Sequence, residues 1–358
     1  MRVLQLIPGL RCGGAETFVC ELSVKLNSYE HVDCDIATMY PIDEGCNYGT
    51  KLKGVRVCSL GKGTGFSLRY IWRLFKFIKD NKYDVVHAHL NTIPYLILPT
   101  LLLRRTKFVA TIHSDAYFEA PSKISRLVRR FLFATHIVTP VTISEESARS
   151  FKECYGLDST MIYNGVSTYK QEHLKEFHSR KDGEQVFVHP ASCQPVKNQE
   201  LLLKTFDVIC KRYPNVYLYW FGDNTTYRKL FDEQLSGYLS DRIRYCGCVQ
   251  NLRDYLFQAD AMCLSSLIEG MPMVIIESFS VSCVPLTTPA GGCVNLIQNG
   301  VNGFVSDSFE QIDYYGMIER FILMSDAERN EMRRNAFESF KRYSIDLCAE
   351  HYLTTYNH

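Results

Sequence analysis

Two acidic side chains, Glu269 and Glu277, form the strongest chemical signal in this sequence. Residues 265–277 read SSLIEGMPMVIIE, which places the two glutamates eight positions apart with Gly270 and Pro272 between them. Because proline lacks a backbone N–H, it suits the first turn of a helix. We therefore expect Glu269 in the preceding loop and Glu277 about one and a half turns inside the helix. A carboxylate there can accept hydrogen bonds from two hydroxyls of a sugar or ribose. Two ordinary helix-terminal glutamates are the alternative interpretation of this segment alone.

Three further segments have the composition of phosphate-binding loops. Lys197–Asn198 precedes a helical pattern, and a lysine there can neutralise a diphosphate through charge-assisted hydrogen bonds. Gly13–Gly14 and Gly291–Gly292 each follow an apolar run, where free N–H groups at a helix start attract anions. A tight turn or a solvated lysine explains each segment by itself. In the second half of the chain, the Lys197–Asn198 and Gly291–Gly292 loops together with the glutamate segment favour one phosphate-bearing ligand. Neither GxGxxG nor the Walker lysine pattern occurs.

Histidines and a DxD sequence are the candidate metal ligands. His113 ends the run VATIH, and His87 and His89 lie in VVHAH. A histidine at the carboxyl end of a strand is well placed to reach a ligand, but a metal site needs three or four ligands. A structural role is the competing interpretation for His87. Asp33–Cys34–Asp35 lies inside a strand-like run and not in a loop after one. We predict no metal site.

The elements that position these residues follow one repeating pattern. Short apolar runs alternate with helix-period segments, notably over 67–80 and 122–134. Such alternation predicts an α/β fold with parallel sheets covered by helices on both faces. The pattern restarts near residue 186 after a polar stretch, so we predict one Rossmann-like domain over 1–166, a second over 167–340, and a final helix over 341–358. Ligands of such sheets bind at the carboxyl ends of strands, which predicts a site in a cleft between two facing domains.

The composition excludes several classes of protein. Of 358 residues, 46% are hydrophobic and 22% charged, which is typical of a globular chain and not of a disordered or fibrous one. The longest apolar stretch, 93–103, is interrupted by two prolines and is shorter than the ~20 residues of a membrane-spanning helix. Residues 1–166 carry 21 Lys and Arg against 15 Asp and Glu, a net +6, and the remainder carries 19 against 24, a net −5. This asymmetry is too weak to indicate nucleic-acid binding.

Cysteine usage and the N-terminus bear on the compartment. The 14 cysteines are scattered without a CxxC pair, and the first residues read as a buried strand and not as a signal peptide. We therefore predict reduced thiols in a cytoplasmic protein.

Two basic, aromatic segments are candidates for contact with a membrane. In 123–133, KISRLVRRFLF, the apolar side chains follow a helical period and the basic residues Lys123, Arg126, Arg129 and Arg130 lie mainly off that stripe. Segment 67–79 has a similar composition of basic and aromatic residues. Helices of this kind dock on anionic membrane surfaces, whereas a helix that packs its apolar stripe on the sheet is the alternative. We favour docking for 123–133 and packing for 67–79, which predicts a peripheral protein on the inner leaflet of the cytoplasmic membrane.

Taken in order along the chain, these motifs resemble those of glycosyltransferase family 4 of the bacterial cell-surface polysaccharide type. The resemblance covers nearly the whole chain and rests on eight segments: GGAE (13–16), DVVHAH (84–89), ATIH (110–113), IYNGV (162–166), KNQELLLKTF (197–206), WFGD (220–223), SSLIEGMPMVIIES (265–278) and NGVNGF (299–304). It implies a GT-B fold, with an acceptor-side domain first, a donor domain second and a C-terminal helix over 341–358 that crosses back to the first domain. It also implies a retaining, metal-independent transfer from a nucleotide-sugar such as a UDP- or GDP-sugar, without a further cofactor, to a glycan or polyprenyl-linked acceptor.

The resemblance also implies roles for individual residues. His113, Glu269 and Lys197 would be catalytic: His113 hydrogen-bonds the sugar near the reacting carbon, Glu269 holds sugar hydroxyls, and Lys197 pairs with the diphosphate. Glu277 would bind the ribose. The remaining donor-binding positions, which would contribute mainly backbone, are Gly13, Gly14, Asn198, Gly222, Gly270, Met271, Pro272, Met273 and Val274.

Two departures from the family pattern leave alternatives open. Ser192 stands where the family often has an arginine, which removes one cation unless another residue such as Arg11 substitutes; Asn295 stands near a common glutamate position. A non-catalytic subunit that binds a sugar-nucleotide, or a sugar-nucleotide epimerase or hydrolase of the same fold, would share the remaining motifs. A nicotinamide oxidoreductase is disfavoured by the missing GxGxxG.

Overall fold

Two compact units make up the chain. The computed structural model describes residues 1–10, 13–42, 52, 54–171 and 177–357, so that Arg11 lies outside the described residues. The first unit comprises Met1–Ser167 together with Tyr343–His358, and the second comprises Thr168–Arg342. The C-terminal segment therefore belongs to the first unit.

A parallel sheet of seven strands forms the centre of the first unit, in the order β3-β2-β1-β4-β5-β6-β7. Its strands are β1 (Arg2–Ile7), β2 (Asp33–Thr38), β3 (Val57–Ser59), β4 (Val85–His89), β5 (Lys107–Ile112), β6 (Val138–Thr142) and β7 (Thr160–Met161). The central strands are buried almost throughout because helices cover both faces of a parallel sheet. The strand order reverses direction between β1 and β4, which is where ligands of such sheets bind.

The helices that connect these strands are α1 (Gly14–Leu26), α2 (Leu68–Asn81), α3 (Ile97–Leu102), α4 (Ala116–Glu119), α5 (Lys123–Ala134) and α6 (Glu145–Tyr155). Helices α2 and α5 confirm the helical patterns over 67–80 and 122–134 to within one residue. Ser67 and Ser122 begin them by accepting hydrogen bonds from the N–H groups of Tyr70 and Ser125, which is the usual N-cap arrangement.

The second unit repeats the plan with a parallel sheet of six strands, in the order β10-β9-β8-β11-β12-β13. Its strands are β8 (Gln185–Pro190), β9 (Val216–Phe221), β10 (Ile243–Gly247), β11 (Ala261–Leu264), β12 (Val284–Thr287) and β13 (Phe304–Val305). Its helices are α7 (Gln199–Arg212), α8 (Arg228–Leu230), α9 (Leu252–Gln258), α10 (Met273–Ser280), α11 (Gly292–Leu296), α12 (Gln311–Ile322) and α13 (Asp326–Phe340). The predicted α/β class is confirmed. The two-residue strands β7 and β13 were not predicted because so short a segment carries no periodicity.

The last helix, α14 (Ile345–Asn357), packs in the first unit against α1. Parallel bridging of Val166 with Ser344 ties its start to the segment after β7. The Cβ of a residue other than glycine at position 165 would lie 2.7 Å from the Ile345 Cα, a separation that real Cβ atoms do not show, so Gly165 permits this contact. Tyr352 and Tyr356 of α14 are buried.

Helix α5 differs in one respect from the amphipathic helix that the sequence predicts. Arg129, expected among the solvent-facing basic residues, is fully buried. Its Nη2 donates to the carbonyl oxygens of Leu90 at 2.9 Å and Glu119 at 3.1 Å. Its guanidinium also lies 3.5 Å from the Glu119 carboxylate. A buried charge needs such partners, so Arg129 is a structural residue and does not belong to the exposed basic surface of α5.

Two further observations concern the whole described chain. None of its helices combines the length and the apolar character that crossing a bilayer requires. The 12 cysteines within the described residues are all free thiols.

Candidate functional site

Three loops of the second unit meet where neighbouring strands end. Strands β8, β11 and β12 are adjacent in the sheet, and the loops that follow them span 191–198, 265–272 and 288–291. Lys197, Glu269 and Gly291 lie on these loops, and Gly292 begins α11. The strand order changes direction between β8 and β11, so the loops occupy the position that binds ligands in open parallel sheets.

An ion pair joins two of these loops. Lys197 Nζ lies 2.7 Å from Glu269 Oε1, and Ser266 Oγ donates to the same oxygen at 2.6 Å. The Lys197 side chain is 25% exposed and that of Glu269 is 11% exposed. A partly shielded pair interacts more strongly than a surface pair, yet its lysine stays accessible to an anion. The sequence did not predict that these two candidate residues contact each other.

Side-chain hydrogen bonds to the backbone of the loop hold the Lys197 segment in place. Ser265 Oγ donates to the Lys197 carbonyl oxygen at 2.8 Å, and Gln199 Nε2 donates to the Ser192 carbonyl oxygen at 2.8 Å. Asn198 adopts a left-handed conformation with φ 49°, which asparagine tolerates better than most residues. Asn198 therefore has a structural role, because its left-handed conformation connects the Lys197 loop to α7.

Gly291 and Gly292 allow their own backbone to approach the backbone of the Glu269 loop closely. A Cβ at Gly292 would lie 1.6 Å from the Gly270 carbonyl oxygen, and one at Gly291 would lie 2.2 Å from that of Glu269. The Gly292 N–H donates to the Glu269 carbonyl oxygen at 3.1 Å. These glycines therefore position the backbone of Glu269 and Gly270, a role that the phosphate-loop interpretation did not include.

We predict that Gly292→Ala strongly lowers the transferase activity that the family resemblance implies, because the added methyl group must displace the Gly270 carbonyl and with it Glu269. A misplacement of about 1 Å can cost roughly 100-fold in rate. Steady-state assays beside circular dichroism measure this effect. Gly316→Ala is the matched control, since nothing lies within 4 Å of a Cβ there and alanine favours its helix, α12. Equal activity of the two variants would contradict the positioning role.

Helix α10 begins one residue later than its sequence suggests. Pro272 precedes the helix with φ −70° and ψ 100°, and Met273 is the first helical residue. Glu277 consequently lies about one turn inside the helix and not one and a half. Met271 and Met273 are buried, so their side chains belong to the core and only their backbone is available to a ligand. Glu277 and Val274 are half-buried and share one face of the helix.

Gly222 follows β9, next to the Lys197 loop. A Cβ at this position would lie 2.1 Å from the Ala191 carbonyl oxygen. That oxygen also accepts a hydrogen bond from Trp220 Nε1 at 2.7 Å. The absence of a side chain at Gly222 therefore allows the chain after β9 to contact the chain after β8.

In the first unit, His113 follows β5 and the Gly13–Gly14 segment follows β1. Glu119 supports the His113 loop, because its Oε1 accepts hydrogen bonds from the N–H groups of His113 at 2.5 Å and Ser114 at 2.9 Å. Burial raises the pKa of Glu119, and Arg129 opposes that shift. The Phe18 ring of α1 lies 5.7 Å from the His113 ring, centre to centre. The structure thus brings the start of α1 and the end of β5 into one region.

Gly13 has an acidic neighbour. It is the N-cap of α1, and a Cβ at this position would lie 2.4 Å from Glu16 Oε2. A carboxylate near a helix N-terminus is stabilised by the helix dipole. An incoming phosphate would therefore meet the Glu16 carboxylate beside Gly13.

Sequence reasoning missed several residues that position the candidates. They act through hydrogen bonds to loops and not through motif chemistry, and they include Ser265, Ser266, Gln199 and Glu119. His189 is another: it is fully buried on β8, and its Nδ1 donates to the Cys263 carbonyl oxygen at 2.8 Å. Burial lowers the pKa of His189 to about 4, with a further contribution from Lys197. Ser265, Ser266 and Gln199 lie within the quoted motif segments, and Glu119 is an acid six residues after His113; these positions were the available sequence signals.

The DxD sequence has a structural role in the first sheet. Asp35 lies in β2 and is 3% exposed. Its Oδ2 accepts a hydrogen bond from Tyr83 Oη at 2.6 Å and pairs with the Arg56 guanidinium. Within the described ranges, no group of three or more His, Cys, Asp or Glu side chains is arranged to hold a metal ion.

Models of known protein families match both units of the chain. The model of Glycosyltransferase Family 4 matches residues 12–170, and the model of Glycosyl transferases group 1 matches residues 170–339. The putative glycosyltransferase EpsD of Bacillus subtilis is 27% identical over 78% of this chain and 79% of its own length. The GalNAc-alpha-(1->4)-GalNAc-alpha-(1->3)-diNAcBac-PP-undecaprenol alpha-1,4-N-acetyl-D-galactosaminyltransferase of Campylobacter jejuni is 22% identical over 99% of this chain and 97% of its own length.

Among solved structures, Anabaena HepE in complex with UDP and glucose superposes with a TM-score of 0.80 at 19% identity, covering 100% of this chain and 99% of that one. A likeness at this identity establishes the fold, which is GT-B: an α/β fold with two Rossmann-like domains.

Proposed function

Because the chain belongs to the glycosyltransferases of family 4 and group 1, whose models together match residues 12–339, we propose that it transfers a sugar from a UDP-sugar to a glycan carried on a polyprenyl diphosphate, with retention of configuration. The observation that carries this proposal is the ion pair between Lys197 and Glu269, 2.7 Å apart at the ends of adjacent strands. It presents a cation for a diphosphate beside a carboxylate for sugar hydroxyls.

The proposed reaction requires that the negative charge on the departing nucleotide diphosphate be neutralised. The bond between the sugar C1 and the diphosphate oxygen breaks, and its electron pair passes to that oxygen. Lys197 and the N–H groups around the start of α10 stabilise the negative charge that develops there. The acceptor hydroxyl oxygen bonds to C1 from the same face, and its proton passes to the departing phosphate oxygen. Glu269 orients the sugar by accepting hydrogen bonds from its hydroxyls, and Glu277 accepts those of the ribose.

The first unit contributes the remaining contacts of this proposal. Gly13 and Gly14 offer backbone N–H groups to the diphosphate, once it replaces the Glu16 carboxylate near Gly13. His113 accepts a hydrogen bond from the transferred sugar. Burial lowers the pKa of His113 to about 3, so its ring is neutral at pH 7 and can accept a hydrogen bond.

Donor and acceptor classes are chosen from the comparisons. Anabaena HepE was crystallised with UDP and glucose, which supports a uridine nucleotide over a guanosine nucleotide. The Campylobacter relative acts on an undecaprenol-linked glycan, which supports a polyprenyl-linked acceptor and a place in the synthesis of a cell-surface polysaccharide.

A donor panel tests this function. The protein is incubated with UDP-, GDP- and ADP-sugars, with and without a polyprenyl-diphosphate glycan, and nucleotide release is measured with and without EDTA. We expect acceptor-dependent release from a UDP-sugar that EDTA leaves unchanged, and NMR of the product should show the anomeric configuration of the donor. Binding without release would indicate a non-catalytic subunit, and release that needs no acceptor would indicate a hydrolase or an epimerase.

Helix α5 supports the membrane part of the proposal. Ile124, Leu127 and Phe131 are 77%, 69% and 48% exposed, and their spacing places them on one face. Phe118 of the preceding helix is 80% exposed. Exposed Lys123 and Arg130 flank this apolar face. Such a face, with basic residues at its margin, suits the interface of an anionic membrane, where a lipid-linked acceptor is found.

We predict that replacing Ile124, Leu127 and Phe131 by serine lowers binding to anionic liposomes at least tenfold in a flotation assay, because a buried side chain of this size contributes about 1.5–3 kcal/mol. The matched control replaces Ile312 and Leu323, which are 75% and 66% exposed in the second unit, and should bind like the native protein. If the triple variant floats as well as the control, α5 is not the docking surface.

A further inference from the structure

A chain of buried polar side chains runs from His113 into the first unit. His113 Nε2 lies 2.8 Å from His89 Nδ1, and His89 Nε2 lies 2.7 Å from Gln5 Oε1. Gln5 Nε2 is 3.3 Å from the hydroxyl of Tyr356 in α14. Gln5 and His89 are fully buried, and each member comes from a different segment: the loop after β5, strand β4, strand β1 and the C-terminal helix.

The far end of this chain is also hydrogen-bonded. The Tyr356 hydroxyl lies 2.7 Å from His87 Nδ1, and His87 Nε2 lies 2.7 Å from Thr111 Oγ1. The Thr111 hydroxyl in turn contacts that of Tyr352 at 2.9 Å. Burial lowers the pKa of His87 and His89 well below the usual range and raises the pKa of both tyrosines. Each histidine is therefore neutral at pH 7 and carries one ring N–H.

The amide of Gln5 determines where those protons lie. An amide oxygen only accepts hydrogen bonds, so His89 Nε2 must be the protonated nitrogen. His89 Nδ1 is then an acceptor, and His113 Nε2 must donate to it. A neutral His113 that is protonated on Nε2 has an unprotonated Nδ1.

His113 Nδ1 is buried and has no hydrogen-bond partner among the residues that the structure describes. A buried acceptor without a partner is unfavourable, and a ligand that donates to it recovers that cost. The atom belongs to the loop after β5, at the sheet edge where ligands bind.

We infer that Gln5 is a positioning residue that, through His89, holds His113 with a proton on Nε2 and a bare Nδ1, so that His113 accepts a hydrogen bond from a hydroxyl of the donor sugar. This inference rests on the proposed function for the identity of the ligand, but the state of the His113 ring can be measured in the free protein. Gln5 and His89 do not themselves touch the sugar.

The direct test is NMR of the full chain labelled with 15N-histidine, which distinguishes protonated from bare ring nitrogens. The signals of His113 among the ten histidines are identified by their loss in His113→Asn. We expect a protonated Nε2 and a bare Nδ1 that does not titrate between pH 6 and pH 8. A proton on Nδ1, or a doubly protonated ring in this range, would overturn the inference.

Variants test whether Gln5 sets this state. Gln5→Met removes the amide at similar size and should give His113 as a mixture of tautomers and lower kcat/KM for the donor about tenfold, an effect of the size of one hydrogen bond. Gln185→Met is the matched control, since Gln185 also bonds from a parallel strand, to the Ile322 carbonyl oxygen; it should leave the His113 signals unchanged. If Gln5→Met fails to fold, Tyr356→Phe removes the hydroxyl that accepts from Gln5 Nε2 and so orients the amide. With both amide orientations then available to His89, His113 should again be a mixture of tautomers.

The two proposals fail separately. If His113 Nδ1 is unprotonated but the protein transfers no sugar, the tautomer assignment stands and the proposed function is refuted. If the protein transfers sugar but His113 carries its proton on Nδ1, this inference is refuted and the proposed transferase function stands. The same holds if the His113 signals are unchanged in Gln5→Met.

Discussion

Replacing Lys197 by alanine is expected to lower kcat by about two to three orders of magnitude, because a cation aimed at the departing phosphate is worth as much as one donor of an oxyanion hole. The change also removes the cation that pairs with the Glu269 carboxylate, which is 11% exposed. Glu269 then keeps only its hydrogen bond from the Ser266 hydroxyl. That uncompensated charge would repel a diphosphate. Steady-state kinetics with a saturating UDP-sugar donor measure the effect.

The control for this prediction is another lysine–glutamate pair in the same unit. Lys204 Nζ lies 2.6 Å from Glu200 Oε1 on α7, and both side chains are about half exposed. Lys204→Ala should keep native kcat, since surface ion pairs contribute little. Lys197→Arg keeps the charge and should retain part of the activity. A folded Lys197→Ala protein with kcat close to that of Lys204→Ala would show that Lys197 does not stabilise the leaving group.

A second large effect is expected in nucleotide binding. Glu277→Ala should weaken the affinity for UDP by about 2–4 kcal/mol, since hydrogen bonds from two ribose hydroxyls to a charged carboxylate are lost. This corresponds to a roughly 30- to 700-fold increase in Kd. Isothermal titration calorimetry with UDP alone measures it. Glu338→Ala, at an exposed position on α13 beside Lys341, should bind UDP like the native protein.

Glu269→Gln separates the two glutamates by function. Because Glu269 is assigned to the sugar and not to the ribose, this variant should bind UDP with nearly native affinity and lose turnover. If Glu277→Ala binds UDP normally, or if Glu269→Gln loses UDP affinity as strongly as Glu277→Ala, the assignment of ribose and sugar contacts is wrong.

Much of the fold could be predicted because both sheets are parallel. Their central strands are buried on both faces and therefore read as continuous apolar runs, while the intervening helices keep an amphipathic period. The predicted helices over 67–80 and 122–134 differ from α2 and α5 by one residue at most. The start of α10 was less well predicted, since proline suits both the first helical position and the residue before it.

Side-chain environments within correctly predicted elements were harder to predict. Arg129 lies on a helix with an evident amphipathic pattern and is nevertheless fully buried. Its partners, the Leu90 carbonyl and Glu119, come from two other segments. A helical period describes one helix, whereas burial of a charge depends on what its neighbours offer.

By itself, the sequence determined the α/β class and the candidate residues, because alternation and local motifs depend only on residues close along the chain. Only the tertiary structure decided which candidates contact one another. Lys197 and Glu269 are 72 positions apart, and Gln5 and Tyr356 are 351 apart. Such contacts arise from the order of the strands in each sheet and from the return of α14 to the first unit, which no local periodicity encodes.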